Sequence, residues 1–193
     1  MMDLTQLNKE QREAVETIDG PLLILAGAGS GKTRVVTHRI VHLIESGVPP
    51  WAILGLTFTN KAAGEMRERV ESLCDQRVLI STFHSLGVRI LRESIGLLGY
   101  PPSFSIYDEE DALKLIRVCL GELEMRESKG MVKEIKQAIS RAKNQLLGPT
   151  DVVSEEEWAT VYSRYQEKLR ECHAVDFDDL LFLTVKLFQE HPE

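Results

Sequence analysis

The chain of 193 residues carries 23 Lys and Arg against 30 Asp and Glu, a net charge of −7, with 27% charged and 43% hydrophobic residues. That composition excludes a collagenous, mucin-like or wholly disordered chain, and the length suits one globular domain with room for an inserted subdomain. The acidic balance argues against a protein that holds nucleic acid by overall positive charge.

The N-terminus, Met-Met-Asp-Leu-Thr-Gln, has no basic region followed by an apolar one, so no signal peptide is expected. Pro21-Leu-Leu-Ile-Leu-Ala26 is a short, continuously apolar run, as expected of a central parallel strand covered on both faces. A glycine-rich turn follows, then a helix with Val36, Ile40, Leu43 and Ile44 on one face and Gly47 as its stop. Ile53–Phe58 reads as a second strand, 61–73 as a helix, Val78–Ser81 as a third strand and 85–98 as a helix ending at Gly99. Strand and helix alternating at this spacing predict a parallel sheet of α/β type.

The character changes at Tyr100-Pro-Pro. Helices are expected from the Asp108–Asp111 cluster, over 130–147 up to the Gly148-Pro149 break, from a capping box at Ser154-Glu-Glu-Glu157, and after Val175-Asp-Phe-Asp-Asp. We read 108–175 as a helical subdomain, with 1–107 before it and 176–193 as a return to the α/β unit. Charge follows the same division: residues 1–100 hold 11 basic and 11 acidic side chains, and 101–193 hold 12 and 19. Within the second half, 126–145 has six basic residues and two acidic ones. Cys74, Cys119 and Cys172 are widely spaced and odd in number, which favours a reducing cytoplasm and gives no metal or disulfide framework. The longest apolar stretch, near 21–28, is too short to span a bilayer, so no membrane association is expected.

Ala26-Gly27-Ala28-Gly29-Ser30-Gly31-Lys32-Thr33 fits the looser phosphate-loop (Walker A) form in which Ala replaces the first Gly. An apolar run leads in and an amphipathic helix leads out. Glycines let successive N–H groups turn toward phosphate oxygens beside the positive end of the helix. Lys32 would reach the β- and γ-phosphates of ATP, and Thr33 would offer its hydroxyl to Mg²⁺.

Several blocks around this loop are similar to those of the UvrD/PcrA/Rep-type superfamily 1 DNA helicases. Leu7-Asn-Lys-Glu-Gln11-Arg-Glu-Ala-Val15 resembles their Q motif, and Ala26–Thr33 with Arg34-Val-Val-Thr-His-Arg-Ile resembles motif I. Thr57-Phe-Thr-Asn-Lys-Ala-Ala63 with Glu65-Met66 resembles motif Ia. Ser81-Thr-Phe-His-Ser85 with Arg89-Ile-Leu-Arg92 resembles the next DNA-contacting motif. Asp176-Phe-Asp-Asp-Leu-Leu181 resembles the block after the family's inserted helical subdomain.

The resemblance implies an incomplete RecA-like P-loop domain interrupted by an all-helical subdomain. It implies an ATP-dependent helicase translocating 3′ to 5′ on single-stranded DNA toward a duplex junction. Gln11 would read the adenine edge, since an amide donates and accepts at once, and Arg34 would lie against the adenine face. Phe58 would sit beside a base, a contact that tolerates any sequence. Thr57, Thr59, Asn60 and His84 would supply polar contacts to the sugar-phosphate. Core packing is the plain alternative for Phe58 and Phe83; motif context favours the DNA role for Phe58 and leaves Phe83 open.

The family's Walker B Asp-Glu should come shortly after the final helix, and the chain stops at His191-Pro-Glu193. The expectation is therefore an N-terminal fragment that binds nucleotide weakly and does not unwind DNA. The motor part of a recombination helicase–nuclease shares these motifs, and a non-catalytic ATP- or DNA-dependent interaction module is the reading from another class.

Three other features have plainer explanations. Asp108-Glu109 suits the first turn of a helix better than a catalytic acid pair. His38 and His42 lack a third zinc ligand. Asp176, Asp178 and Asp179 open an apolar helical run and read as caps. The basic run 126–145 suits a duplex contact and a solvated surface equally, since Lys133, Lys136, Arg141 and Lys143 fall on more than one helix face.

Overall fold

The computed structural model describes residues 3–152 and 156–192, which form two compact units divided between Phe83 and His84. Both mix helices with short parallel sheets.

In the first unit, α1 (Lys9–Glu16) is opened by a capping box in which Asn8 accepts from the Gln11 backbone and Gln11 reaches back to the Asn8 N–H. After the glycine-rich turn, α2 (Lys32–Glu45) ends beside Gly47, whose φ of +94° suits a helix stop. β1 (Leu54–Thr57) and β2 (Leu79–Thr82) pair in parallel register, Leu54 opposite Leu79, and α3 (Asn60–Leu73) is the crossover between them. Ile40, Val41, Ile53, Ala63, Met66, Val70, Val78 and Ile80 bury the seam where α2 and α3 meet the sheet. A smaller cluster, Leu7, Ala14, Val15 and Val35, fastens α1 to α2.

The expected strand over Pro21–Ala26 joins no ladder among the described residues, and Leu23 and Leu25 are 80% and 85% exposed. Extended chain is stable as a strand only when neighbouring strands take up its N–H and C=O groups, and a run apolar on both faces needs cover on both. Neither condition is met for this segment.

The second unit begins with α4 (Phe83–Ser94), whose first residue closes the unit before, and a 3-10 turn at Ile95–Leu98. β3 (Ser105–Tyr107) pairs in parallel with β4 (Ala174–Asp176). Between them run α5 (Glu109–Glu122), α6 (Met131–Asn144) and α7 (Glu157–Glu171), and α8 (Asp179–Glu190) follows β4. Asp108 caps α5, its carboxylate accepting from the Asp111 N–H at 2.9 Å. The expected capping residue Ser154 lies outside the described residues. Stripes from the three inner helices, including Ile116, Leu120, Ile135, Ile139, Val161, Tyr162, Tyr165 and Leu169, form one fully buried core. A second core joins Leu91 and Ile95 to Phe104, Val175, Leu180 and Leu183. Among the described residues no helix is long and apolar enough to cross a membrane.

Candidate functional site: a phosphate loop and two aromatic surfaces

The loop Ala26–Ser30 is exposed and leads into the N-terminus of α2. Gly29 and Gly31 take φ of +75° and +84°, a left-handed backbone that side chains with a Cβ strain to adopt. Gly31 supplies no side-chain cap, so the first-turn N–H groups of α2 face the loop. A Cβ at Gly27 or Gly29 would meet nothing within 4 Å, so the backbone there borders open space. Lys32 donates from Nζ to the carbonyls of Ala26 (2.8 Å) and Gly27 (2.6 Å), and the Ser30 hydroxyl donates to Gly27 O (2.7 Å). Thr33 is exposed in the first turn of α2. The Lys32 ammonium, the first-turn amides of α2 without a side-chain cap and the Thr33 hydroxyl are a donor set that fits a polyphosphate with its divalent cation.

Gln11 is engaged at both ends of its amide: Oε1 accepts from the Asn8 N–H (3.1 Å) and Nε2 donates to the Ser30 carbonyl (3.0 Å). It thus ties the start of α1 to the phosphate loop. Arg34 donates to Gln6 Oε1 at 2.7 Å. His38 donates from Nδ1 to the Arg34 carbonyl, and no group of three His, Cys, Asp or Glu able to hold a metal ion occurs among the described residues.

At the end of β1, Thr57, Phe58, Thr59 and Asn60 form the turn into α3. Thr59 is the cap, its hydroxyl accepting from the Ala62 N–H at 3.1 Å. Phe58 is 89% exposed and meets the ring of Phe83 at 5.8 Å between centroids, tilted by 43°. An exposed aromatic carried on a strand-to-helix turn is positioned for an external contact rather than for core packing.

In the second unit, His84 stacks on Phe177, with centroids 4.1 Å apart and planes inclined by 18°. Burial lowers the His84 pKa, and the nearby Asp178 carboxylate only partly opposes it. That shift favours the uncharged ring as a stacking surface. Phe177 is 55% exposed and escapes a sequence reading because its three aspartate neighbours draw attention. The signal that finds it is an aromatic set between acidic residues that turn inward.

Those aspartates belong to a buried charge network. Lys143, fully buried, donates to Asp176 at 2.9 Å and to Asp179 at 2.8 Å. Tyr165 donates its hydroxyl to Asp176 (2.9 Å), and Gln166 donates to Asp179 (3.2 Å) and to the Tyr100 hydroxyl (3.1 Å). Burial alone would raise the Asp176 carboxyl, and the Lys143 ammonium overcomes this and lowers it. Asp179 is pushed up to about 6, by its complete burial and then by the Asp176 charge. Burial alone would lower Lys143, and the two carboxylates reverse that and raise it.

This corrects the reading of 126–145 as a wholly solvated or duplex-facing basic run. Lys143 is interior, and Lys136 is held by Asp178 at 2.6 Å. It also extends the reading of the three aspartates. Asp176 does accept from the Asp179 N–H (2.8 Å), as a cap does, but both carboxylates also serve the buried lysine.

A family model described as the UvrD/REP helicase N-terminal domain matches residues 7–193. The chain is 48% identical over 200 residues to an ATP-dependent DNA helicase PcrA of Bacillus subtilis, covering 98% of the chain and 27% of that protein. It is 46% identical to the PcrA of Leuconostoc citreum, covering 97% of the chain and 26% of the relative. To the PcrA of a Staphylococcus aureus strain it is 47% identical, covering 98% and 27%. The chain thus spans about a quarter of the length of these relatives.

Proposed function

Because the chain belongs to the UvrD/REP helicase N-terminal domain family, we propose that it is the nucleotide-binding N-terminal part of an ATP-dependent 3′-to-5′ DNA helicase. The observation that carries this is the open glycine loop at the start of α2, with Lys32 and Thr33 in the first turn and Gln11 tied to Ser30. In this reading Gly27–Thr33 hold the phosphates, Lys32 leaving its carbonyl partners for phosphate oxygens, and the Thr33 hydroxyl faces Mg²⁺. Gln11 and Arg34 border the adenine. When bound, ATP supplies the phosphoanhydride whose cleavage drives translocation.

Residues 1–107 and 176–193 then belong to a RecA-like motor domain, and 108–175 to a helical subdomain inserted in it. The parallel pairing of β3 with β4 supports this, since the chain departs at Tyr107 and returns at Ala174 on adjacent strands. Phe58, with Thr57, Thr59 and Asn60, contacts single-stranded DNA. So do His84 and Phe177, whose stacked, half-exposed rings offer a face to a base. Asp108-Glu109 is taken up in opening α5, so among the described residues it does not serve as an acid pair that polarises water. These residues by themselves are proposed to bind nucleotide without turning it over. Three free thiols and a DNA substrate suit a cytoplasmic protein.

Titration calorimetry with a non-hydrolysable ATP analogue and Mg²⁺ tests the reading. Saturable binding that needs Mg²⁺ is expected. No binding overturns the loop assignment, and DNA-stimulated ATP turnover by this chain overturns the claim that it does not hydrolyse ATP.

A further inference from the structure

Between β4 and α8 the chain turns through Phe177 and Asp178, and this turn is held with unusual completeness. Reciprocal bonds close it: Asp179 N–H donates to Asp176 Oδ1 at 2.8 Å, and Asp176 N–H donates to Asp179 Oδ2 at 3.1 Å. The remaining oxygens, Asp176 Oδ2 and Asp179 Oδ1, both receive Lys143 Nζ. Asp178 receives Lys136 at 2.6 Å. Lys136 and Lys143 stand seven residues apart on α6, two turns along one stripe, so a single helix face grips the turn on both sides of Phe177. α7 adds Tyr165 and Gln166 to the same carboxylates. Three of the turn's four side chains are thereby fixed, and the fourth is the ring stacked on His84.

Stability alone does not call for such a joint. Three buried charges are expensive to desolvate, and an apolar contact of the same volume serves as well or better. What charged, directional bonds add is a single orientation of the turn. We propose that Lys136 and Lys143 are positioning residues for nucleic-acid contact: by holding the Asp176–Asp179 turn they fix Phe177 against His84, and they make binding at that ring depend on the packing of α6 and α7. This rests on the reading of the His84–Phe177 pair as a base-contacting surface.

The test uses the whole chain and two readouts. The first is the NMR shift of the His84 ring protons, which the Phe177 ring displaces and which Phe177→Ala resets. The second is affinity for a fluorescein-labelled oligothymidylate, which Phe177→Ala should weaken between about fivefold and a hundredfold. Lys136→Met and Lys143→Met should each move the His84 signals toward their Phe177→Ala position and lose part of that affinity. If Lys143→Met does not fold, Lys136→Met and Tyr165→Phe, which each remove an outer bond, carry the comparison. Unmoved His84 signals in both overturn the proposal. So do moved signals with undiminished affinity where Phe177→Ala is weakened. A Phe177→Ala chain that binds as tightly as the parent overturns the base-contact reading instead, and the ring signals alone then decide whether the lysines position Phe177.

Discussion

Gly87 and Leu180 approach so closely that a methyl group added at residue 87 would stand 2.5 Å from the Leu180 carbonyl oxygen. That oxygen belongs to the backbone of α8 and cannot rotate aside, and Thr184 Oγ1 would lie 3.1 Å away on the same side. Gly87→Ala gains about 1 kcal/mol of helix propensity. It must nevertheless separate α4 from α8, at a cost of about 1–3 kcal/mol or more. We expect a net loss in urea unfolding. A midpoint equal to or above the parent's contradicts this account of the packing.

Lys32→Ala should abolish calorimetric ATP binding while leaving the unfolding free energy within about 0.5 kcal/mol of the parent. Its partners are two carbonyls of an exposed loop, which water can replace. Retained nucleotide affinity would count against the phosphate-loop assignment.

Phe58→Ala should weaken single-stranded oligonucleotide binding by about fivefold to a hundredfold, equally for different base sequences. Thermal stability should hardly change, since the ring is 89% exposed. A large drop in midpoint would show that the ring supports the core instead.

Asp176→Asn and Asp179→Asn should differ in cost and in pH dependence. The Asp176 carboxyl is lowered, so its contribution is present above the ordinary carboxylate range and is lost as pH falls through its folded value. Removing it takes the ionised partner from a buried lysine, at about 3–5 kcal/mol. Asp179 is raised from 3.8 to about 6, so its contribution is present in acid and is lost as pH rises through about 6. Asp179→Asn should therefore cost less, and it should gain on the parent as pH climbs from about 4 to 7. Urea midpoints across that range decide the matter; equal costs with parallel profiles would refute the division of roles.

Much of this was legible in the residues. The strands β1 and β2 and the helices after them follow from apolar runs and periodicity, and the turn before α2 follows from the spacing of its glycines. What periodicity does not carry is a ladder partner, which is why Pro21–Ala26 reads as a strand although among the described residues no segment pairs with it. Lys143 looks solvated because it sits in a basic run and its carboxylates lie 33 and 36 residues further on. A local clue existed, since Lys143 continues the stripe of Val132, Ile135 and Ile139 and falls where an apolar residue belongs. Phe177 was hidden in the same way, because only the folded turn shows which of Asp176–Asp179 points outward.

If the loop binds nucleotide as proposed, the two carbonyl bonds of Lys32 carry a thermodynamic consequence. A loop that rests with its cation satisfied internally is competent for phosphate only in the fraction of molecules where that cation is released. The apparent dissociation constant is the intrinsic one divided by this fraction, so each tenfold rarity of the released loop weakens binding tenfold. On the proposed reading Gln11, tethered to Ser30, would act on the same equilibrium from α1, and a change that loosens that tether would alter nucleotide affinity without touching a phosphate.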